Sequence, residues 1–240
     1  FSITSRAVSS RGGVQPVLSG LHLELTGNRL SVVGSDLDLT IRVDAAVGGH
    51  EDGAAVLPAK LVTDIVRALD SGQVEIAVDE EGARITSGRS DFSLRVMAAD
   101  EFPRFEAPGG EAVTLDAESV ATALEQVVKA ASGDDSRPIL TGVLLAAEDD
   151  GLRFVATDSY RLAVRDLPGT SILGRDQTVL VPSRALEVTG RLLGDADELT
   201  IRLDEREASF EVGDVTIVTR LIEGEFPNYR GLIPTDHPNA

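Results

Sequence analysis

The residues best suited to chemistry in this sequence are acidic pairs, three histidines and a recurring set of cations. Asp36-Leu37-Asp38, with Asp158, could supply oxygen ligands to a hard metal ion. The same spacing at a strand end also serves a turn, because an Asp carboxylate accepts nearby backbone N–H groups. Asp134-Asp135 and Asp149-Asp150 precede turns and take the turn reading. His22, His50 and His237 have no Ser or carboxylate placed around them in a triad-like pattern. No glycine-rich phosphate loop of either common type is present. Thr157-Asp158-Ser159 lacks the flanking glycines of a nucleophile elbow. The cations are more orderly. Lys60 and Arg67 are seven residues apart, and so are Arg184 and Arg191, so on helices each pair shares a face. Asp64, Glu118, Glu125 and Glu187 fall on the same helices, which also fits a solvated face of mixed charge.

Composition narrows the classes of function. The 240 residues carry 22 Lys+Arg against 40 Asp+Glu, a formal charge of −18. Hydrophobic residues make up 42% and charged residues 26%, too apolar for a disordered chain. The absence of cysteine excludes disulfides, thiolate metal sites and a cysteine nucleophile, and fits a cytoplasmic protein. No apolar run reaches the roughly 18 residues of a bilayer span. Net charge alone argues against a phosphate-backbone partner, but it says nothing about where the cations sit.

The elements that would position these residues come in two copies. Pro16-Val17-Leu18-Ser19-Gly20-Leu21 matches Pro138-Ile139-Leu140-Thr141-Gly142-Val143, and Gly34-Ser35-Asp36 matches Ala156-Thr157-Asp158. Val56-Leu57-Pro58-Ala59-Lys60 matches Leu180-Val181-Pro182-Ser183-Arg184, and Glu101-Phe102-Pro103 matches Glu225-Phe226-Pro227. Four ordered matches at offsets of 122 to 124 define two domains, 1–107 and 112–234, joined through Ala107-Pro108-Gly109-Gly110. Copy one has 15 residues before its Pro16 where copy two has 25 before Pro138, so an opening strand is expected to be missing from copy one. The unit reads as α+β. Helices are expected over 117–131, capped by Asp116, and over 59–69 and 183–193, with Pro58 and Pro182 at their first positions. Leu61, Ile65 and Leu69 should form the apolar side of the first of these. Alternation marks strands at 21–26, 29–34, 40–43, 74–78 and 92–96. Their partners in copy two are 143–147, 153–156, 161–165, 199–203 and 208–212, and 215–222 adds one more.

Arg137 to Val143, followed by Ala156-Thr157-Asp158-Ser159-Tyr160-Arg161-Leu162-Ala163, resembles the bacterial DNA polymerase III β subunit family of replication sliding clamps. So do Glu225-Phe226-Pro227-Asn228-Tyr229-Arg230-Gly231-Leu232-Ile233-Pro234 and the stretch from Ser87 to Leu94. The resemblance runs through nearly the whole chain. It implies the DNA clamp fold, three such domains per subunit and a homodimeric ring, of which this sequence carries domains one and two. It implies a non-enzymatic processivity factor without a cofactor or resident metal. The implied partners are double-stranded DNA, bound without sequence preference, the polymerase III α subunit, the clamp loader and other clamp-motif proteins, with no membrane.

Three sets of residues follow from the resemblance. Arg11, Lys60, Arg67, Lys129, Arg137, Arg184 and Arg191 would face DNA. Arg137, Leu140, Thr157, Ser159, Tyr160, Arg161, Leu162 and Pro234 would form one wall of a cleft for a short Gln/Leu/Phe-type peptide. Without the resemblance, Leu140 and Leu162 read equally well as core strand residues. Arg89, Ser90, Asp91, Phe92 and Leu94 would form an edge strand at the ring interface, beside the helix from Lys60. The alternatives are a clamp-like paralogue serving as a decoy for partners or inhibitors, a metal-dependent enzyme built on the Asp residues, and a structural assembly module.

Overall fold

The computed structural model describes residues 1–8, 15–79 and 81–233. The chain divides into two compact units, Phe1–Ala107 with Gly213–Val218, and Pro108–Val212 with Thr219–Ala240.

In unit one the strands are β1 (Gly20–Thr26), β2 (Arg29–Ser35), β3 (Leu39–Ala46) and β4 (Gly53–Pro58). They form antiparallel ladders in the order β4-β1-β2-β3. The β1–β2 hairpin closes on Gly27-Asn28, and Gly27 takes φ 57°, which glycine adopts without a Cβ penalty. Helix α1 (Ala59–Ala68) follows, then β5 (Glu75–Val78), β6 (Ala83–Ser87) and β7 (Ser90–Leu94), paired as β5-β6-β7. Leu21, Leu23, Val32, Leu57, Val62 and Ile85 form a core between these parts.

Unit two repeats the plan with β8 (Val113–Asp116), α2 (Ala117–Val127), β9 (Gly142–Glu148), β10 (Gly151–Thr157), β11 (Leu162–Pro168) and β12 (Thr178–Pro182). Then come α3 (Ser183–Leu192), β13 (Glu198–Leu203) and β14 (Glu207–Val212), and the chain continues into β15 (Val215–Arg220), of which Val215–Val218 groups with unit one. The sheet order β11-β10-β9-β12 mirrors that of unit one. Alternate residues of β10 point to opposite faces. Leu152 and Phe154, both 1% exposed, share the core with Val120, Leu124, Leu186 and Leu193, and α2 packs on β10 and β11. Val155 faces the other way, into a cluster with Leu144, Ala146, Leu180 and Tyr229 that Ile139, Leu162, Ile222 and Phe226 cover.

The expected helices form, with corrections. Asp116 caps α2, accepting the Ser119 N–H at 2.8 Å, but the last turn tightens to a 3-10 helix at Val128–Ala130. Pro58 and Pro182 are not first helical residues. Their ψ values of 113° and 129° are non-helical, and each ends a strand while serving as N-cap. Ile65 and Leu69 pack against the core as expected, but Leu61 is 52% exposed, and Ala59, Val62 and Thr63 are the fully buried positions. Strands β4, β6 and β12 were not anticipated, β8 is the opening strand expected of copy two, and β7 starts at Ser90 rather than Phe92. With β6 in place, the counterpart of β7 is β15 and that of β6 is β14, so β15 is not an extra strand.

Candidate functional site

The most ordered polar feature of unit two is the turn joining β10 to β11. Thr157 ends β10 with its hydroxyl donating to the Arg161 carbonyl at 2.8 Å and accepting the Ser159 N–H at 3.1 Å. Asp158 Oδ1 accepts the Tyr160 and Arg161 N–H groups at 2.9 and 3.0 Å. Its Oδ2 accepts Arg161 Nε at 3.0 Å. These bonds favour the carboxylate, so Asp158 titrates below its ordinary value of 3.8, through the Tyr160 and Arg161 N–H groups first. The closed loop holds Ser159 at φ 81° and leaves Tyr160 94% exposed at the tip. Arg137 reaches the same turn, its Nη1 donating to Ser159 Oγ at 3.4 Å while Nε bonds Asp134 at 3.1 Å.

Five of the eight expected peptide-wall residues therefore belong to one turn, and Arg137 bonds to it. Leu140 sits in a 3-10 turn, not a strand, and is 8% exposed. Leu162 opens β11 and is half-buried against the Val155–Tyr229 cluster. Pro234 lies outside the described residues.

Unit one carries the same turn. Asp36 Oδ1 accepts the Asp38 and Leu39 N–H groups at 3.2 and 2.9 Å, Ser35 Oγ accepts the Leu37 N–H at 3.1 Å, and Leu37 takes φ 78°. The Asp36 carboxylate thus has the turn role that its spacing allowed. Among the described residues, no group of three or more His, Asp or Glu is arranged to hold a metal ion.

The expected DNA-facing cations lie on exposed surfaces. Lys60 and Arg67 are exposed on α1, with Arg67 Nε donating to Ser2 Oγ at 3.1 Å. Arg184 and Arg191 are exposed on α3. Lys129 is 3.9 Å from Glu125 in an exposed pair of small energetic weight. Arg11 lies outside the described residues.

The expected interface residues Ser90, Asp91, Phe92 and Leu94 form β7, which lies at the edge of its three-stranded sheet, with Arg89 in the preceding turn. Phe92 is 36% exposed. Asp91 forms a two-bond ion pair with Arg84 on β6, which lowers the Asp91 pKa.

Sequence reasoning missed one network. Arg153 on β10 donates to both carboxylate oxygens of Asp166 on β11 at 2.6 and 2.9 Å, and lies 3.4 Å from Glu148. The Asp166 bonds raise the Arg153 pKa. Arg230 donates to Glu148 at 2.5 Å and stacks over the Tyr229 ring, tying the 226–232 segment to the sheet. The Arg153↔Asp166 pairing across an antiparallel hairpin was the available signal.

A duplicated α+β unit with an Asp-anchored turn in each copy defines a tandem-repeat protein. Residues 2–106 match the N-terminal domain of the DNA polymerase III beta subunit, and residues 114–228 match its central domain. The chain is 32% identical to the beta sliding clamp of Micrococcus luteus over 240 residues, covering 99% of this chain and 77% of that protein. It is 35% identical to the clamp of Synechococcus elongatus, covering 98% of this chain and 65% of that one. It superposes on the Pseudomonas aeruginosa DNA polymerase III subunit beta with a TM-score of 0.88 at 29% identity, covering 98% and 65% of the two chains. The chain belongs to the DNA polymerase III beta subunit family. It spans about two thirds of the length of the first relatives it matches. One solved Pseudomonas aeruginosa relative is bound to griselimycin.

Proposed function

We propose that this chain is the first two domains, 1–107 and 112–234, of a ring-forming sliding clamp. The clamp encircles duplex DNA and tethers the replicative polymerase, without catalysing a reaction itself. The observation that carries this is the match of both units, in order, to the two clamp domains. In this reading the α1 and α3 cations face DNA and provide weak, salt-dependent contacts to phosphate. An acidic exterior with a basic lining reconciles the charge of −18 with a DNA partner. The Thr157–Leu162 turn with Arg137 and Leu140 forms one wall of a cleft for polymerase and clamp-loader peptides. Apolar contact comes from Leu162, and orientation from Arg161 and the turn backbone. β7 serves as the interface edge, and the protein works in the cytoplasm.

The test uses the full-length protein loaded onto nicked circular plasmid, half of which is then linearised. Retention on circles with loss from linear DNA is the expected outcome. Equal retention on both would mean ordinary electrostatic binding and would overturn the ring. In parallel, Arg161→Ala is expected to weaken a polymerase-tail peptide while leaving retention on circles intact.

A further inference from the structure

Unit two holds a crevice, of about 750 Å3, that none of the described peptide-wall residues lines. Its floor is apolar, formed by Leu144, Leu180, Phe226 and Tyr229. Its side is the outer edge of β12. The Ala147 N–H donates to the Gln177 carbonyl, and Thr178 pairs with Ala146. Because antiparallel pairs alternate, Gln177 and Val179 bond to β9, and Thr178 and Leu180 present their N–H and C=O groups outward. The Ile222 N–H takes the Leu180 carbonyl at 2.8 Å, and the chain then turns away along Glu223–Pro227. Beyond Leu180, no backbone bond among the described residues takes up the outward groups of Thr178. An open strand edge over an apolar floor is the setting for adding an extended strand.

The repeat supplies an internal comparison. In unit one the Met97 N–H takes the Val56 carbonyl at 2.9 Å, and Val56 pairs with His22 as Leu180 pairs with Leu144. There the His22 ring stacks on Phe102 at 5.2 Å, so the counterparts of Leu144 and Phe226 are in ring contact. In unit two Leu144 stands in place of the ring, and Phe226 turns edge-on to Tyr229 at 6.5 Å. The mouth is acidic. Glu205, Glu223 and Glu225 are exposed there, Arg206 offsets one of them, and Arg230 is held by Glu148.

We propose that this crevice binds an extended peptide segment that pairs with the Thr178 edge, seats one bulky apolar side chain on Leu144, Leu180, Phe226 and Tyr229, and places flanking Lys or Arg against Glu205, Glu223 and Glu225. None of the described peptide-wall residues lines this crevice, although Leu162 packs against the same Leu144–Leu180–Tyr229 cluster.

The probe is a fluorescein-labelled, end-blocked pentapeptide, Lys-Thr-Phe-Thr-Lys, titrated by fluorescence anisotropy into the full-length protein. Its counterpart with Glu at both ends is the control. The Lys peptide binds, and the Glu peptide binds at least about tenfold more weakly. Thr178→Pro, which removes an outward N–H at the first residue of an edge strand, weakens the Lys peptide by about tenfold, as does Glu223→Lys with Glu225→Lys. Arg161→Ala leaves its affinity unchanged. Failure of the Lys peptide to bind, equal binding of both peptides, or unchanged binding by Thr178→Pro overturns the site. If Thr178→Pro does not fold, hydrogen exchange at the Thr178 amide decides. Slowing on peptide addition supports the pairing, and no change overturns it.

Discussion

At the scale of single residues, the turn at Asp158 shows how a few backbone bonds set a site. One carboxylate accepts three N–H donors and so fixes the path from Thr157 to Leu162. The folded pKa is depressed, so the turn's contribution is present above the ordinary value of 3.8 and is lost as pH falls through the lower folded value. A carbon-detected titration of Asp158 is expected to show a midpoint below 3.8, and a midpoint at or above it would remove this account. Asp158→Ala is expected to weaken a cleft peptide about as much as Arg161→Ala does, because it frees both the loop and the guanidinium. Unchanged peptide binding in Asp158→Ala would show that the turn does not position the wall. The positive φ of Ser159 and Leu37 was not legible in the sequence, since neither residue type favours that region.

At the scale of elements, capping and close packing decide the costs. Asp116→Ala removes the bond to Ser119 and is expected to lower stability by about 1 kcal/mol in a denaturant titration. Gly34 lets the turn at Thr4–Ala7 lie against β2, and an added Cβ would sit 2.2 Å from the Thr4 carbonyl oxygen. Gly34→Ala is therefore expected to cost about 1–3 kcal/mol by the same measurement, with no loss if the Thr4 turn can move aside. Copy two has Ala156 at the matching position, so the repeat alone does not reveal this constraint. The helices were legible because caps and a 3.6-residue period are local signals. β4 and β12 were not, because each runs into its helix through a proline and has residues buried on both faces, so alternation fails. β6 has only five residues, and its pairing with β5 and β7 is what makes it a strand.

At the scale of the whole chain, duplication lets one copy serve as the control for the other. The Asp turn is kept in both copies, whereas the aromatic contacts differ: His22 stacks on Phe102 in unit one, and Phe226 meets Tyr229 edge-on in unit two. The proposed role in DNA binding makes a collective prediction. Reversing Lys60 and Arg67, or Arg184 and Arg191, to Glu in the full-length protein is expected to reduce the salt-dependence slope of DNA association by roughly one to two units. The melting temperature should stay nearly unchanged, because these side chains are exposed. An unchanged slope would take the helices out of the DNA path.

The sequence by itself determined the duplication, the α+β class, the three principal helices and the family, because these rest on residue order and local periodicity. The resemblance also singled out Thr157–Leu162, but that these residues form one turn, with Arg161 in it rather than in a strand, came from the structure. The tertiary structure decided that Leu61 stays exposed on α1, the existence of β4, β6 and β12, and the Glu148–Arg153–Asp166–Arg230 network. It also decided that Phe102 stacks on His22 in unit one while its counterpart Phe226 meets Tyr229 in unit two. Each of these depends on which distant residues become neighbours, and the physical reason is that burial and pairing are properties of the packed chain, not of its local order.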